Sequence, residues 1–174
     1  MNDISTINRD EILDNAKRES ELSDLKQHAD KMIRGFENFN NFSSNRAIWE
    51  LVQNACDLTT NCEVVIDYKS GFSFTHNGKP FTTKSFISLI KQVSGKYGEE
   101  SDVPEVGKYG TGFLTTHTFA RKFRINSILE ANNTFFEIKD FLIDRSPKEW
   151  KTLSEKIRTQ KENVYQLIQD GAIL

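Results

Sequence analysis

Apolar residues at helical spacing open the chain. Ile12, Leu13, Ala16, Leu22, Leu25, Ala29, Met32 and Ile33 predict a helix over residues 9–36, which Gly35 and the Asn-rich run Asn38–Asn45 should end. A second amphipathic helix follows, with Ser43 or Ser44 as its N-cap and Ile48, Leu51, Val52, Ala55 and Cys56 as its apolar stripe. The pattern then shortens to that of strands. Cys62–Tyr68 is β-rich, Ser70-Gly71 reads as a hairpin turn, and Phe72–Thr75 reads as the return strand. After the sharp loop His76–Pro80, residues Thr82–Val93 are helical, with Phe86, Ile87, Leu89, Ile90 and Val93 on one side. Residues 94–106 form a Gly-, Ser- and Glu-rich surface loop of lid length. Gly107–Gly112 is a glycine turn that runs into an apolar helix through Ala120.

Two further strands, Lys122–Leu129 and Thr134–Ile143, are joined by a turn at Ala131-Asn132-Asn133. Ser146-Pro147-Lys148-Glu149 combines a capping box with proline at the first helical position, opening a charged helix to about Asp170 with Gly171 as its stop. This order predicts an α+β fold, a two-layer sandwich with helices on one face of a mixed or antiparallel sheet. The divisions are an N-terminal helical segment 1–37, a core 38–146 and a C-terminal helix 147–174.

Bulk numbers narrow the class. With 174 residues the chain is long enough for one domain with a proper core. Hydrophobic content of 37%, charged content of 28% and a net charge of −2 give no whole-chain argument for nucleic acid or membrane. No apolar run approaches the ~20 residues that span a bilayer. The first residues lack a signal-peptide core, so a cytoplasmic location is expected. Cys56 and Cys62 have no second pair, which argues against a disulfide framework or a zinc site, and Cys56 reads as an inert core thiol.

Three motifs carry candidate chemistry. Glu50, Asn54 and Asp57 fall at i, i+4 and i+7 and so project from one helical face. A carboxamide oxygen ligates a hard cation, and a carboxylate one turn away orients or deprotonates a water. The same spacing also describes a plain solvated face. In His76–Phe81, Gly78 permits close backbone approach, and His76 or Asn77 accepts a hydrogen bond from an exocyclic amine; Asn-Gly is equally a favoured turn. Gly107–Phe113, GKYGTGF, matches neither a Walker A nor the dinucleotide fingerprint. Its three glycines let backbone approach an anion, with the following helix N-terminus aimed at it and Lys108 and Lys96 adding charge; a tight turn explains the glycines too. His28 and His117 read as ordinary surface or core histidines.

Taken in order, E-x-x-x-N-A-x-D, a strand running into N-G-x-P-F, a variable loop and G-K-Y-G-T-G-F resemble the GHKL ATPase superfamily over about residues 30–145. The closest likeness is to its sacsin-type branch, through Trp49–Asn54 and Gly107–His117. The resemblance implies a Bergerat-type fold that binds ATP with Mg2+ and hydrolyses it slowly. It implies Glu50 as the water-activating residue, Asn54 as the metal ligand and Asp57 as a pocket support. It places His76, Asn77 and Gly78 beside the adenine. Gly107, Lys108, Tyr109, Gly110, Thr111, Gly112 and Phe113 then form the phosphate turn, Ser94 and Lys96 reach the phosphates, and 94–106 is the ATP lid.

The implied partners are ATP or ADP, downstream domains of the same polypeptide and a nucleotide-dependent homodimer. Two departures stand out: His76 where the family has aspartate, and Pro80 where it has a second glycine. The family's final strand is not evident after Ile143, so the chain is expected to be the N-terminal piece of a larger protein. Two other readings remain open at this stage. One is an interaction module that keeps the fold with weak or no ATP binding. The other is a sensor kinase domain, for which His28 is the sole phospho-acceptor candidate.

Overall fold

A computed structural model describes residues 8–38, 43–92 and 113–174. The loop 94–106 and the triple-glycine turn lie outside them. So do the candidates Ser94, Lys96, Gly107, Lys108, Tyr109, Gly110, Thr111 and Gly112.

Among the described residues there are four α-helices and five strands: α1 (Arg9–Glu37), α2 (Ser43–Cys56), β1 (Val64–Asp67), β2 (Ser73–His76), β3 (Phe81–Thr82), α3 (Thr83–Lys91), β4 (Lys122–Ala131), β5 (Thr134–Asp144) and α4 (Trp150–Asp170), of which the short β3 was not expected. The class is α+β. The strands make two sheets: β1 and β2 form an antiparallel hairpin, while β3 runs parallel to β4 and β4 antiparallel to β5. Gly71, at φ +126°, closes the first hairpin in a conformation that a Cβ disfavours. Asn132 and Asn133, at φ 51° and 60°, close the second in the left-handed pair a two-residue hairpin loop needs. After α4, Ile173 bridges Phe136 on the outer edge of β5.

The core lies between the β4–β5 sheet and the helices. Leu129, Phe136, Ile138 and Ile143 from the sheet meet Phe86 and Ile90 of α3 and Leu153, Ile157 and Val164 of α4, with Leu25, Ala29 and Met32 of α1 joining them. Alternation along β4 and β5 leaves Arg124, Asn126, Glu137 and Lys139 on solvent-facing positions, as expected of a strand pair covered on one side. Arg145, 1% exposed, pins three elements. Its guanidinium donates from Nη2 to the Ile90 carbonyl at the end of α3 and from Nη1 to Gln160 Oε1 of α4 at 2.8 Å. Desolvation pulls its pKa down to about 10, against the favourable field of Asp144.

Several expectations need correction. Gly35 does not stop α1, which runs to Glu37. A Cβ at Gly35 would sit 2.1 Å from Leu114 Cδ2, so this glycine serves close packing. The apolar helix expected from Phe113 to Ala120 is a six-residue 3-10 turn, Phe113–Thr118. Its threonines explain the difference: Thr116 Oγ1 donates back to the Phe113 carbonyl at 2.6 Å, and three β-branched residues in six disfavour continuation as α-helix. Ser146 does not cap α4. Its N–H and hydroxyl both donate to Asp144 Oδ1, at 3.0 and 2.7 Å, and the helix begins at Trp150 after Glu149. Cys56 is not a core thiol but exposed, because the buried edge of α2 is centred on Ala47 and Ala55. No helix among the described residues is long and apolar enough to cross a membrane.

Candidate functional site

Helix α2 presents the expected polar face. Glu50 accepts from Arg46 Nε at 3.3 Å, one turn back, while Asn54 and Asp57 are exposed. Asp57 stays in register because its N–H still donates to the Gln53 carbonyl, one residue past the helix end. The buried side of α2 packs along the 3-10 turn 113–118, the segment that immediately follows the triple glycine. Trp49, beside Glu50, is 72% exposed.

The Asn-Gly bend is held to the exit of the same helix. Asn77 Oδ1 accepts from Glu63 N–H at 2.9 Å, its Nδ2 donates to the Asn61 carbonyl at 2.9 Å, and its backbone N–H donates to the Glu63 carbonyl at 3.3 Å. Asn77 therefore spends its carboxamide on the chain between α2 and β1. A Cβ on Gly78 would lie 2.7 Å from His76 Nδ1 and 2.9 Å from Leu58 Cβ, so only glycine fits where the bend meets the end of α2.

His76 differs from its expected role. Gly78 N–H donates to His76 Nδ1 at 3.0 Å. In the neutral ring the proton then sits on Nε2, which donates. In this rotamer the bend offers a donor where acceptance from an exocyclic amine was expected. Desolvation lowers the His76 pKa from its ordinary value, which favours the neutral ring.

Phe113 and His117 belong to an aromatic cluster. The His117 ring lies 5.3 Å from both Phe36 and Phe123 and 6.4 Å from Phe113, centroid to centroid. His117 is 3% exposed and its Nδ1 lies 3.2 Å from the Ala120 carbonyl, which fixes the proton on Nδ1. Burial, then the nearby Arg145 charge, push its pKa down to about 3. His117 is a neutral core residue. Phe72 stacks on Phe119 at 4.4 Å and joins the first hairpin to the chain just after the 3-10 turn.

Among the described residues, two cavities lie elsewhere. One, of about 330 Å³, opens between α1, the end of α3 and α4 around Lys17, Asp24, Lys91 and Lys161. The other, of about 460 Å³, opens beside Thr82, Thr83 and the Asn132-Asn133 turn. Neither is lined by Glu50, Asn54, Asp57 or residues 76–78. Among the described residues no group of three or more His, Cys, Asp or Glu is placed to hold a metal. Mg2+ needs no such cage: one or two protein oxygens, waters and nucleotide phosphates suffice, and an exposed carboxamide such as Asn54 is compatible with that donor set.

The structure thus sets Gly78 of the bend against Leu58, the residue after Asp57, and sets the 3-10 turn 113–118 against α2. Sequence reasoning missed Arg145 and the anchoring role of Asn77. An arginine at a strand end carries no periodic signal, and the partners of Asn77 become its neighbours only once β1 and β2 pair. In comparisons with protein-family models, curated proteins and solved structures, the chain matches none.

Proposed function

We propose that the chain is an ATP-binding module of the GHKL type, on a Bergerat-like fold, with slow Mg2+-dependent hydrolysis. One observation supports this reading above the others. Helix α2, with Glu50 and Asn54 on its open face, meets the Asn-Gly bend at its exit and the segment following the triple glycine along its packed side. The bend that carries Gly78 and the segment that begins at Phe113 are thereby both set against one helix.

On this reading Glu50 aligns the attacking water, and Arg46 holds its carboxylate in place. The Asn54 carboxamide would supply a protein oxygen to Mg2+, whose charge would offset that of the phosphates. His76 Nε2–H donates to a ring nitrogen of the base rather than accepting from its amine. Glu50→Ala should retain binding of a non-hydrolysable ATP analogue and lose turnover. Full ATPase activity in that variant would contradict the mechanism.

A second reading is favoured by specific observations: the module keeps the fold without using nucleotide. His76 Nδ1 is already engaged by Gly78, and the Asn77 carboxamide is committed to residues 61 and 63. Calorimetric titration with a non-hydrolysable ATP analogue and Mg2+ separates the two. Saturable heat supports the ATPase reading, and its absence supports the interaction module.

A further inference from the structure

Asn77-Gly78 is the one Asn-Gly dipeptide in the chain, and the atoms around it suit a reaction that needs no nucleotide. Asparagine before glycine is the pairing most open to attack by its own backbone, because the next residue has no side chain to shield its amide nitrogen. Here Gly78 N–H donates to His76 Nδ1 at 3.0 Å, within the reach a general base needs from the proton it removes. Desolvation lowers the His76 pKa, so the ring is neutral and Nδ1 keeps its lone pair. On the carboxamide side, Glu63 N–H donates to Asn77 Oδ1 at 2.9 Å, the spacing of a donor that stabilises an oxyanion on a carbon under attack. Asn77 is exposed, so water reaches it.

The geometry points to Asn77-Gly78 as an internal deamidation site, with Gly78 N as nucleophile, His76 as base and water as co-reactant. His76 Nδ1 takes the Gly78 amide proton as Gly78 N bonds to Asn77 Cγ, and negative charge forms on Oδ1 against Glu63 N–H. The Cγ–Nδ2 bond then breaks. Nδ2 leaves as ammonia with the proton from His76, closing a five-membered imide. Water opens that ring at either carbonyl and leaves aspartate or isoaspartate at position 77. One water is consumed, one ammonia is released and nothing is oxidised or reduced. The new carboxylate cannot donate to the Asn61 carbonyl as Nδ2 does, and the isoaspartyl form adds a carbon to the backbone. Either product loosens the bend from the chain that leaves α2.

The test incubates the full chain at neutral pH, folded and in guanidinium chloride, and follows position 77 by peptide mass and isoaspartate-specific methylation. Folded wild type should convert faster than the same chain in denaturant, where His76 and Glu63 are no longer held at the site. Folded His76→Gln, which keeps an acceptor but no base, should convert roughly tenfold more slowly than folded wild type, a small part of what a positioned base supplies. In denaturant the two chains should match. Ammonia released should equal Asn77 lost. An intact Asn77 in the folded chain, a folded rate at or below that in denaturant, or equal folded rates in wild type and His76→Gln would each overturn the proposal.

Discussion

Asn77 and Glu63 are joined twice. Glu63 N–H donates to Asn77 Oδ1 at 2.9 Å, and Asn77 N–H donates to the Glu63 carbonyl at 3.3 Å. With the further bond from Asn77 Nδ2 to Asn61, this clasp decides where the Asn-Gly bend sits relative to α2. Asn77→Ala removes both carboxamide bonds from an exposed site, so the cost should be about 1–2 kcal/mol. Denaturant unfolding measures it, and faster hydrogen exchange at the Glu63 amide locates it. Unchanged exchange there would show that the clasp does not hold the loop.

Leu114 closes on α1 where Gly35 has no side chain. Gly35→Ala sets a methyl 2.1 Å from Leu114 Cδ2, so the buried Leu114 side chain must shift. Overpacking should cost about 1–3 kcal/mol, despite the better helix propensity of alanine. An equilibrium unfolding curve in which the variant equals or exceeds wild type would contradict the packing described.

Buried neutral His117 links stability to pH. Its folded pKa is about 3, well below the ordinary value of 6.5. Between those values the unfolded chain binds a proton that the folded chain does not, so this contribution is complete above about 6.5 and declines as pH falls. At pH 5 the loss should be about 2 kcal/mol. His117→Leu should flatten the stability profile between pH 7 and pH 5. An equally steep profile in the variant would assign the acid sensitivity elsewhere.

Asp144 adds a separate acid-sensitive contact. Burial opposes its ionisation, but two Ser146 hydrogen bonds and the Lys122 and Lys156 charges, at 3.6 and 3.5 Å, outweigh it and lower its pKa. Its contribution is present above the ordinary carboxylate value and lost as pH falls through the lowered one. Asp144→Ala should cost about 1–3 kcal/mol at pH 7 and less as pH falls below 4. A cost that does not change with pH would remove charge from the explanation.

The legible parts of the sequence were those governed by local pattern. The strand pairs 64–67 with 73–76 and 122–131 with 134–144 follow from β-branched alternation and from turns built on Gly71 and Asn132-Asn133. The polar face of α2 was legible too, since Glu50, Asn54 and Asp57 need only helical spacing. Expectations failed where a nearby group competed. Asp144 takes the Ser146 hydroxyl that would have capped α4, Thr116 turns its hydroxyl back on Phe113, and Leu114 explains Gly35 better than helix termination does. Arg145 was not legible, because its partners Ile90 and Gln160 are brought close only by tertiary packing.

The most direct measurement is a map of backbone amide shifts on adding Mg2+ and a non-hydrolysable ATP analogue to the full chain. The ATPase reading predicts saturable changes grouped at residues 50–58, 76–78 and 113–118, weakened in Asn54→Ala. Unmoved amides, or changes gathered instead around Lys17, Lys91 and Lys161, would contradict the claim that α2 and the Asn-Gly bend border a nucleotide.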